Sequence, residues 1–531
     1  MNNSDLIVRM LESANVRWVF GVPSGPVLPL IESLRRSSVQ FVLTASETSA
    51  GFMASTVGYL TGNPGVCVST VGPGATNLTT GVGCAWLDRA PVLAFTCNVP
   101  TAWLERRIQM RIDHQALFKP ITKATFSLRD GRVNESLEQA LAIAASEPPG
   151  PVQLDLPEDV AQANAMEAVT HRFQSSPFPD RSGDIVQTLS AALEKSRRPL
   201  VITGLSFSRC KAADKLLQFI ERQQIPFVTT LHGKGFLPES HSNWAGVIGR
   251  ARRTDIKAFT DQADLIIAVG YDPIEMNYED WVGGNPVLHV STEAAENGGS
   301  IAFVWNHACD VEMAVEAMAE LPAIANAWAA QDWQNHRVSF DRALRPDSSN
   351  FAAHHVLDIL RRKLAADGIL AYDVGAHTHQ IASQWRTDYP KTLLATNGWS
   401  SMGYGMPAAY AAKLVLPGRD VVAVVGDGGF QMTAGELSMA RRLRLAVPVI
   451  VLNDGWLGLM KVKQERKNYS LSGVYLGAPP ESPAHYFGVP CRAAKTPEQF
   501  SQALQWAFAL GGPSVIEAFI DVEPYSQTVF D

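Results

Sequence analysis

The chain has 531 residues, a formal net charge of −7, and 46% hydrophobic against 18% charged residues. That length exceeds what one core can serve and predicts about three domains of an ordinary soluble, globular kind. The acidic balance, with no long basic run, excludes nucleic acid as the expected partner, and no apolar run reaches membrane-spanning length. Cys67, Cys84, Cys97, Cys210, Cys309 and Cys491 are scattered without Cys-x-x-Cys spacing, which predicts a reducing compartment with neither disulfides nor zinc. The opening Met1-Asn-Asn-Ser-Asp5 lacks the basic and apolar segments of a signal peptide, so a cytoplasmic protein is expected.

Residues 1–165 alternate helical and strand patterns. An amphipathic stretch at 6–14 leads into a short strand at 18–20, which ends at Gly21-Val-Pro23-Ser-Gly25. A strand at 41–44 precedes Glu47, which opens a small-residue helix at 48–60. The strand at 65–70 runs into Gly72-Pro73-Gly-Ala-Thr-Asn77. That turn has part of a dinucleotide fingerprint, but Asn77 stands where the third glycine belongs, so a nicotinamide cofactor is not expected. Strands at 91–96 and 151–157 complete the unit, and the polar stretch 161–184 reads as a linker. A second α/β unit over 183–340 has strands at 199–204, 226–230, 263–270 and 286–290, and shows no catalytic constellation.

The third unit, 350–531, is organised around residues 420–455. The apolar run 421–425 stops at Gly426-Asp427-Gly428-Gly429, and a second run, 447–452, stops at Asn453-Asp454-Gly455. Both read as buried parallel strands. Thr433 and Glu436 have capping-box spacing and are expected to open the helix between them, through Arg442. One βαβ crossover then brings both polar clusters to the carboxyl edge of the sheet, where open α/β sheets bind ligands. Oxygen ligands separated by glycines suit a divalent cation holding a diphosphate. The bland reading is a Rossmann-type turn with an incidental aspartate. The valine-rich strand entering a glycine turn recurs at 66–74, a hint that the first and third units share a fold.

On the Gly-Asp-Gly turn, the helix after it and the Asn453-Asp454 pair, the sequence resembles the thiamine-diphosphate-dependent enzymes. The resemblance implies three doubly wound α/β domains with parallel sheets: pyrimidine-binding (1–165), central (183–340) and diphosphate-binding (350–531). It implies thiamine diphosphate and Mg²⁺ as cofactors, with Asp427, Asp454 and the carbonyl of Trp456 as metal ligands. The family carries a second asparagine where this chain has Asp454, which leaves Asn453 and Asp454 both open as the ligand. Pro23, Gly25, Pro73 and Asn77 would hold the pyrimidine side. Gly375, Ala376 and His377 would hold the diphosphate, with Ser400, Ser401, Gly428, Gly429 and Leu457 beside them. Met402 matches the residue that props thiamine into its bent shape, and as a bland alternative it is core packing. Glu47 matches the glutamate that hydrogen-bonds the aminopyrimidine and promotes loss of the thiazolium C2 proton. Its bland reading is a first-turn acid complementing the helix dipole.

Within the family the chain looks most like the catabolic, FAD-independent acetolactate synthases. Asp113-His114-Gln115 resembles their His-Gln segment, which implies that Gln115 faces the reacting carbon. Gly270-Tyr-Asp-Pro-Ile-Glu275 and Trp281 resemble their central domain. The Arg-Phe-Asp-Asp stretch with which anabolic synthases bind FAD is absent, so FAD is not expected. The implied reaction is decarboxylation of a 2-oxo acid with carboligation to a second carbonyl. The alternative is release of an aldehyde, with His114 as proton donor. Lys463 stands where relatives line the acceptor pocket, so it is either a contact for a second acid group or one member of a solvated basic face. A homodimer or homotetramer is implied, with active sites at the subunit interface.

Overall fold

The computed structural model describes residues 1–531 apart from 170–177, 179, 277–278, 297–300, 478–480 and 530–531. Short apolar runs closed by glycine or polar residues become strands, and the helical patterns between them become crossovers, which builds three open sheets. The first contains β1 (Trp18–Gly21), β2 (Gln40–Leu43), β3 (Gly65–Ser69), β4 (Val92–Asn98), β5 (Ala124–Ser127) and β6 (Pro151–Pro157), in the order β2-β1-β3-β4-β6-β5. The second contains β7 (Pro199–Thr203), β8 (Phe227–Thr229), β9 (Trp244–Val247), β10 (Leu265–Val269), β11 (Pro286–Ser291) and β12 (Ala302–Ala308), in the order β12-β11-β10-β7-β8-β9. The third contains β13 (Ile369–Tyr372), β14 (Leu393–Leu394), β15 (Val421–Gly426), β16 (Pro448–Asn453), β17 (His485–Tyr486), β18 (Val489–Ala494) and β19 (Ser514–Phe519). Its order is β14-β13-β15-β16-β19-β18-β17. Among the described residues every pairing within these sheets is parallel except β17 with β18. Helices cover both faces, so β3, β4 and β16 are buried along their whole length.

Leaving aside the β17 hairpin, the first and third sheets have the same strand order. In each, the third strand in sequence (β3 and β15) enters a glycine turn beside the first strand (β1 and β13). The recurrence of a valine-rich strand and glycine turn is therefore a topological equivalence. In both sheets the strand order reverses between these two neighbours, and ligands of open sheets sit at that switch point.

The first and third units share one apolar core. Phe52 and Leu78 from the first pack in the same cluster as Tyr410, Leu437 and Val451 from the third. Helix Glu47–Thr61 crosses helix Pro73–Leu87 closely enough that a Cβ on Gly51 would lie 2.7 Å from Gly81 Cα. Only glycine at both positions allows that approach, which keeps the first turns of the two helices side by side.

One local reading is overturned. Thr433 and Glu436 do not form a capping box. The helix starts at Asp427, directly after β15, and runs Asp427–Thr433, with a second helix at Glu436–Arg442. Thr433 instead donates to the carbonyl of Gly429 (3.3 Å). Glu436 accepts the Ala45 N–H (2.9 Å) and so ties the third unit to the first. The linker expected at 161–184 lies partly outside the described residues, and helices Glu158–Gln162 and Ser182–Leu193 occupy its two ends. Among the described residues no helix is long and apolar enough to cross a membrane.

In the central sheet the order reverses between β7 and β10, and the carboxylate of Glu275 lies against that crevice. It accepts the Leu205 N–H (2.7 Å), the Thr230 hydroxyl and the His232 N–H (3.4 Å), so an internal carboxyl group takes up those donors. Burial is the main cause that pushes this carboxyl up to about 7. The folded chain thus holds a proton there that the unfolded chain releases between about pH 4.5 and 7. The group's contribution to stability is present at the acid end and is lost as pH rises through about 7. In Glu275→Gln the pH profile of Tm should lose this fall, while an unchanged profile would refute the assignment.

Candidate active site

At the switch point of the third sheet, the loops after β13, β15 and β16 enclose a cavity of about 250 Å³. Of the residues singled out from sequence, Asp427, Gly428, Gly429, Asp454, Trp456 and Leu457 line it from the β15 and β16 side. Gly375, Ala376 and His377 line it from the loop after β13, and Ser400 and Met402 face them. Ser401 belongs to the same loop, and its hydroxyl donates to the Met402 carbonyl (3.1 Å).

The backbone of the turns holds both acids in place. Asp427 accepts the N–H groups of Gly428 and Gly455, each at 2.8 Å, and Asp454 accepts that of Trp456 at 2.9 Å. Burial pushes the Asp427 carboxyl up to about 6, against the pull of those N–H groups. It pushes Asp454 up to about 8, with the neighbouring Asp427 charge adding to the rise. Asn453 is buried at the end of β16 and does not line the cavity, whereas Asp454 does.

The glycines are spacers. A Cβ on Gly429 would sit 1.8 Å from Asp373 Oδ2, and one on Gly428 would sit 2.8 Å from Leu457. Asp373, which sequence reasoning left without a role, is the splice of the site. It is 1% exposed and accepts the N–H groups of Val374, Gly403 and Tyr404 at 2.8–3.1 Å. That ties the loop carrying Ser400 and Met402 onto β13, and burial raises the carboxyl to about 6. His377 is buried with Nε2 unpartnered among the protein's own atoms, and burial lowers its pKa to about 4. Tyr525 closes the cavity from the C-terminal helix Tyr525–Thr528, and nothing local in the sequence signals it.

Helix Gly458–Arg466 presents Gly458, Leu459 and Met460 to the cavity. Lys463, further along, is exposed and does not line the cavity. Lys461, two residues earlier in the same helix, is 7% exposed and bonded to Glu465 (2.7 Å) and Glu523 (2.9 Å).

The remaining residues gather at the equivalent edge of the first sheet. Pro23 and Gly25 follow β1, and Pro73 and Asn77 open the helix after β3; all four are exposed. Glu47, 9% exposed, opens its helix behind the Ser46 cap and accepts the Asn77 side-chain amide at 3.2 Å. His114 lies beneath the Gly72 turn. Gln115 lines a separate groove of about 330 Å³ with Thr125, Phe126 and Arg129. The residue pressed against the Gly72 turn is Met110, at φ +65°; a Cβ on Gly72 would lie 2.2 Å from its carbonyl oxygen. None of these first-unit residues lines the 250 Å³ cavity.

Each of the three sheets overlaps a stretch that matches a domain of one enzyme family. The N-terminal TPP binding domain of thiamine pyrophosphate enzymes matches residues 1–117, their central domain matches 186–318, and their C-terminal TPP binding domain matches 373–518. The chain belongs to the thiamine pyrophosphate enzymes. It stands close to the acetolactate synthases of that family. The chain is 30% identical to a probable acetolactate synthase large subunit of Methanocaldococcus jannaschii, over 98% of this chain and 92% of that one. It is 30% identical to the acetolactate synthase large subunit of Lactococcus lactis, over 87% and 82%, and 29% identical to the acetolactate synthase of Bacillus subtilis, over 99% and 94%. In this thiamine pyrophosphate enzyme the C-terminal match spans every cavity residue but Tyr525, and the N-terminal match spans Glu47 and Asn77.

Proposed function

We propose that the chain decarboxylates a 2-oxo acid and joins the remaining fragment to a second carbonyl compound, as an acetolactate synthase-like enzyme of the cytoplasm. The observation that carries this reading is a pair of acids, buried Asp427 and half-buried Asp454, facing one cavity at a switch point. Two carboxylates raised by burial and by proximity fit a divalent cation, which would relieve both. Asp427, Asp454 and the carbonyl of Trp456 would hold Mg²⁺, hard oxygen donors being what that ion prefers. Among the described residues no group of three or more His, Cys, Asp and Glu is placed to hold a metal ion, so a backbone carbonyl would complete the set.

The diphosphate of thiamine diphosphate would lie against Gly428, Gly429 and the N-terminus of helix Ala376–Gln384, where free N–H groups and the helix dipole favour an anion. The unpartnered Nε2 of His377 is available to it. Thiamine diphosphate supplies the electron sink for carboxylate loss. Met402, Leu457 and Leu459 give the cavity apolar walls. Glu47 would hold and share a proton with the aminopyrimidine, and Asn77 keeps its carboxylate oriented.

Because Glu47 and Asp427 belong to different half-sites, we infer that one copy's Glu47 serves its partner's cavity, in a homodimer or homotetramer. Sedimentation should then show activity confined to dimers or larger, and an active monomer would refute the shared site. The acetolactate synthase relatives support carboligation over release of an aldehyde. Product analysis with a panel of 2-oxo acids, thiamine diphosphate and Mg²⁺ should give an acetohydroxy acid. An aldehyde as the main product would overturn carboligation.

A further inference from the structure

Behind the Glu47 half-site runs a buried polar chain that the reaction as described does not use. Gly72, at φ +64° and ψ −106°, caps helix Pro73–Leu87 without a side chain of its own, and its N–H is one of the orphan donors of a helix start. It donates to His114 Nε2 at 3.3 Å. Accepting there leaves the imidazole proton on Nδ1, which donates to Asp155 Oδ1 at 2.8 Å. Asp155 is held in turn by the Asn98 amide, 3.1 Å to each oxygen, and by the Thr96 hydroxyl at 3.1 Å. Gln153 donates to that hydroxyl at 2.7 Å. All five side chains are at most 5% exposed.

The turn that His114 grips sets Glu47. One helical turn beyond Gly72, Asn77 donates to Glu47 Oε2 (3.2 Å), and its carbonyl accepts the Thr48 hydroxyl (2.7 Å). A Cβ on Gly74 would lie 3.2 Å from Glu47 Oε1, so a small shift of this turn moves atoms against the carboxylate. Both ring nitrogens of His114 are engaged inside the protein, an arrangement unsuited to donating a proton to substrate.

We propose that Asp155 and His114 are positioning residues for Glu47. Asp155 selects the Nδ1–H tautomer of His114, and the free Nε2 lone pair anchors the Gly72 turn from which Asn77 holds the glutamate. This rests on the reading of Glu47 as the carboxylate that activates thiamine diphosphate.

His114→Phe keeps the ring and removes the acceptor. Asp155→Asn keeps the volume but aims an amide donor at Nδ1, which forces the proton onto Nε2 against the Gly72 N–H. In the protein without cofactor, each should speed amide hydrogen exchange at Gly72 by roughly tenfold or more. In the holoenzyme, each should slow C2 proton exchange of thiamine diphosphate by roughly 10–100-fold, with cofactor Kd nearly unchanged. His114→Gln, whose amide oxygen can accept from Gly72, should recover most of both losses. A purely structural role would not show that rescue. Normal C2 exchange in His114→Phe and Asp155→Asn, alongside slow exchange in Glu47→Gln, would overturn the positioning role alone. Normal exchange in Glu47→Gln would overturn the reading beneath it. The parent protein offers a test free of any folding defect: the imidazole ¹⁵N spectrum should show His114 protonated at Nδ1, and a proton on Nε2 would refute the proposal.

Discussion

Asp427→Ala is expected to abolish Mg²⁺-dependent binding of thiamine diphosphate. The Asp427 carboxylate is fixed at the carboxyl end of β15 by two backbone N–H groups and faces the same cavity as Asp454. Without it a divalent cation would keep one charged ligand, and the diphosphate charge would lose most of its counterion. Binding should weaken by at least about a hundredfold, or about 2.7 kcal/mol. The fold should survive. Two N–H groups lose an acceptor, which costs about 1–3 kcal/mol each if they stay dry, but the repulsion that raises Asp454 is relieved at the same time. Titration calorimetry with Mg²⁺ present, beside a thermal melt of the cofactor-free protein, separates these effects. Unchanged affinity in a folded variant would show that the acids do not hold the metal.

Glu47→Gln should leave thiamine diphosphate bound and slow its C2 proton exchange by roughly 10²–10⁴-fold. Glutamine has nearly the same shape and can still accept from the Asn77 amide. What it lacks is the negative charge that favours a protonated ring nitrogen in a buried place. The same residue read as a helix-dipole acid makes a different forecast, a loss of a few tenths to about 1 kcal/mol in stability with exchange untouched. Hydrogen–deuterium exchange at C2, followed by NMR, decides between the two.

The cavity's main parts were legible because their signals are local. A continuous apolar run ended by Gly426-Asp427-Gly428 reads as a buried strand with a ligand turn whatever surrounds it, and so does the run ended by Asn453-Asp454. Where the signal was a spacing that two structures can satisfy, it misled. Thr433 and Glu436 have the separation of a capping box, yet Asp427 already starts the helix, and Glu436 finds the Ala45 N–H in another unit. Lys461 and Lys463 look alike in sequence, and only the approach of Glu523 buries one of them.

Sequence alone located the glycine turns at Gly72 and at Gly426-Asp427-Gly428, since each lies within a few residues of a strand end. Tertiary structure decided which side chains complete them. Asp373 fastens the loop carrying Met402 and meets Gly429 because β13 lies beside β15, pairing Tyr372 with Val424. Asp155 reaches His114 because β6 lies beside β4, and Met110 meets the Gly72 turn through a loop with no periodic signal. Sheet order also decided that the cavity after β13 and β15 is lined by the third unit alone, with Glu47 at the edge of another sheet. The physical reason is range: turn chemistry and apolar periodicity act over a few residues, whereas strand neighbours are chosen by burial of whole faces between segments far apart in sequence, as in the pairing of Pro448 with Ser514.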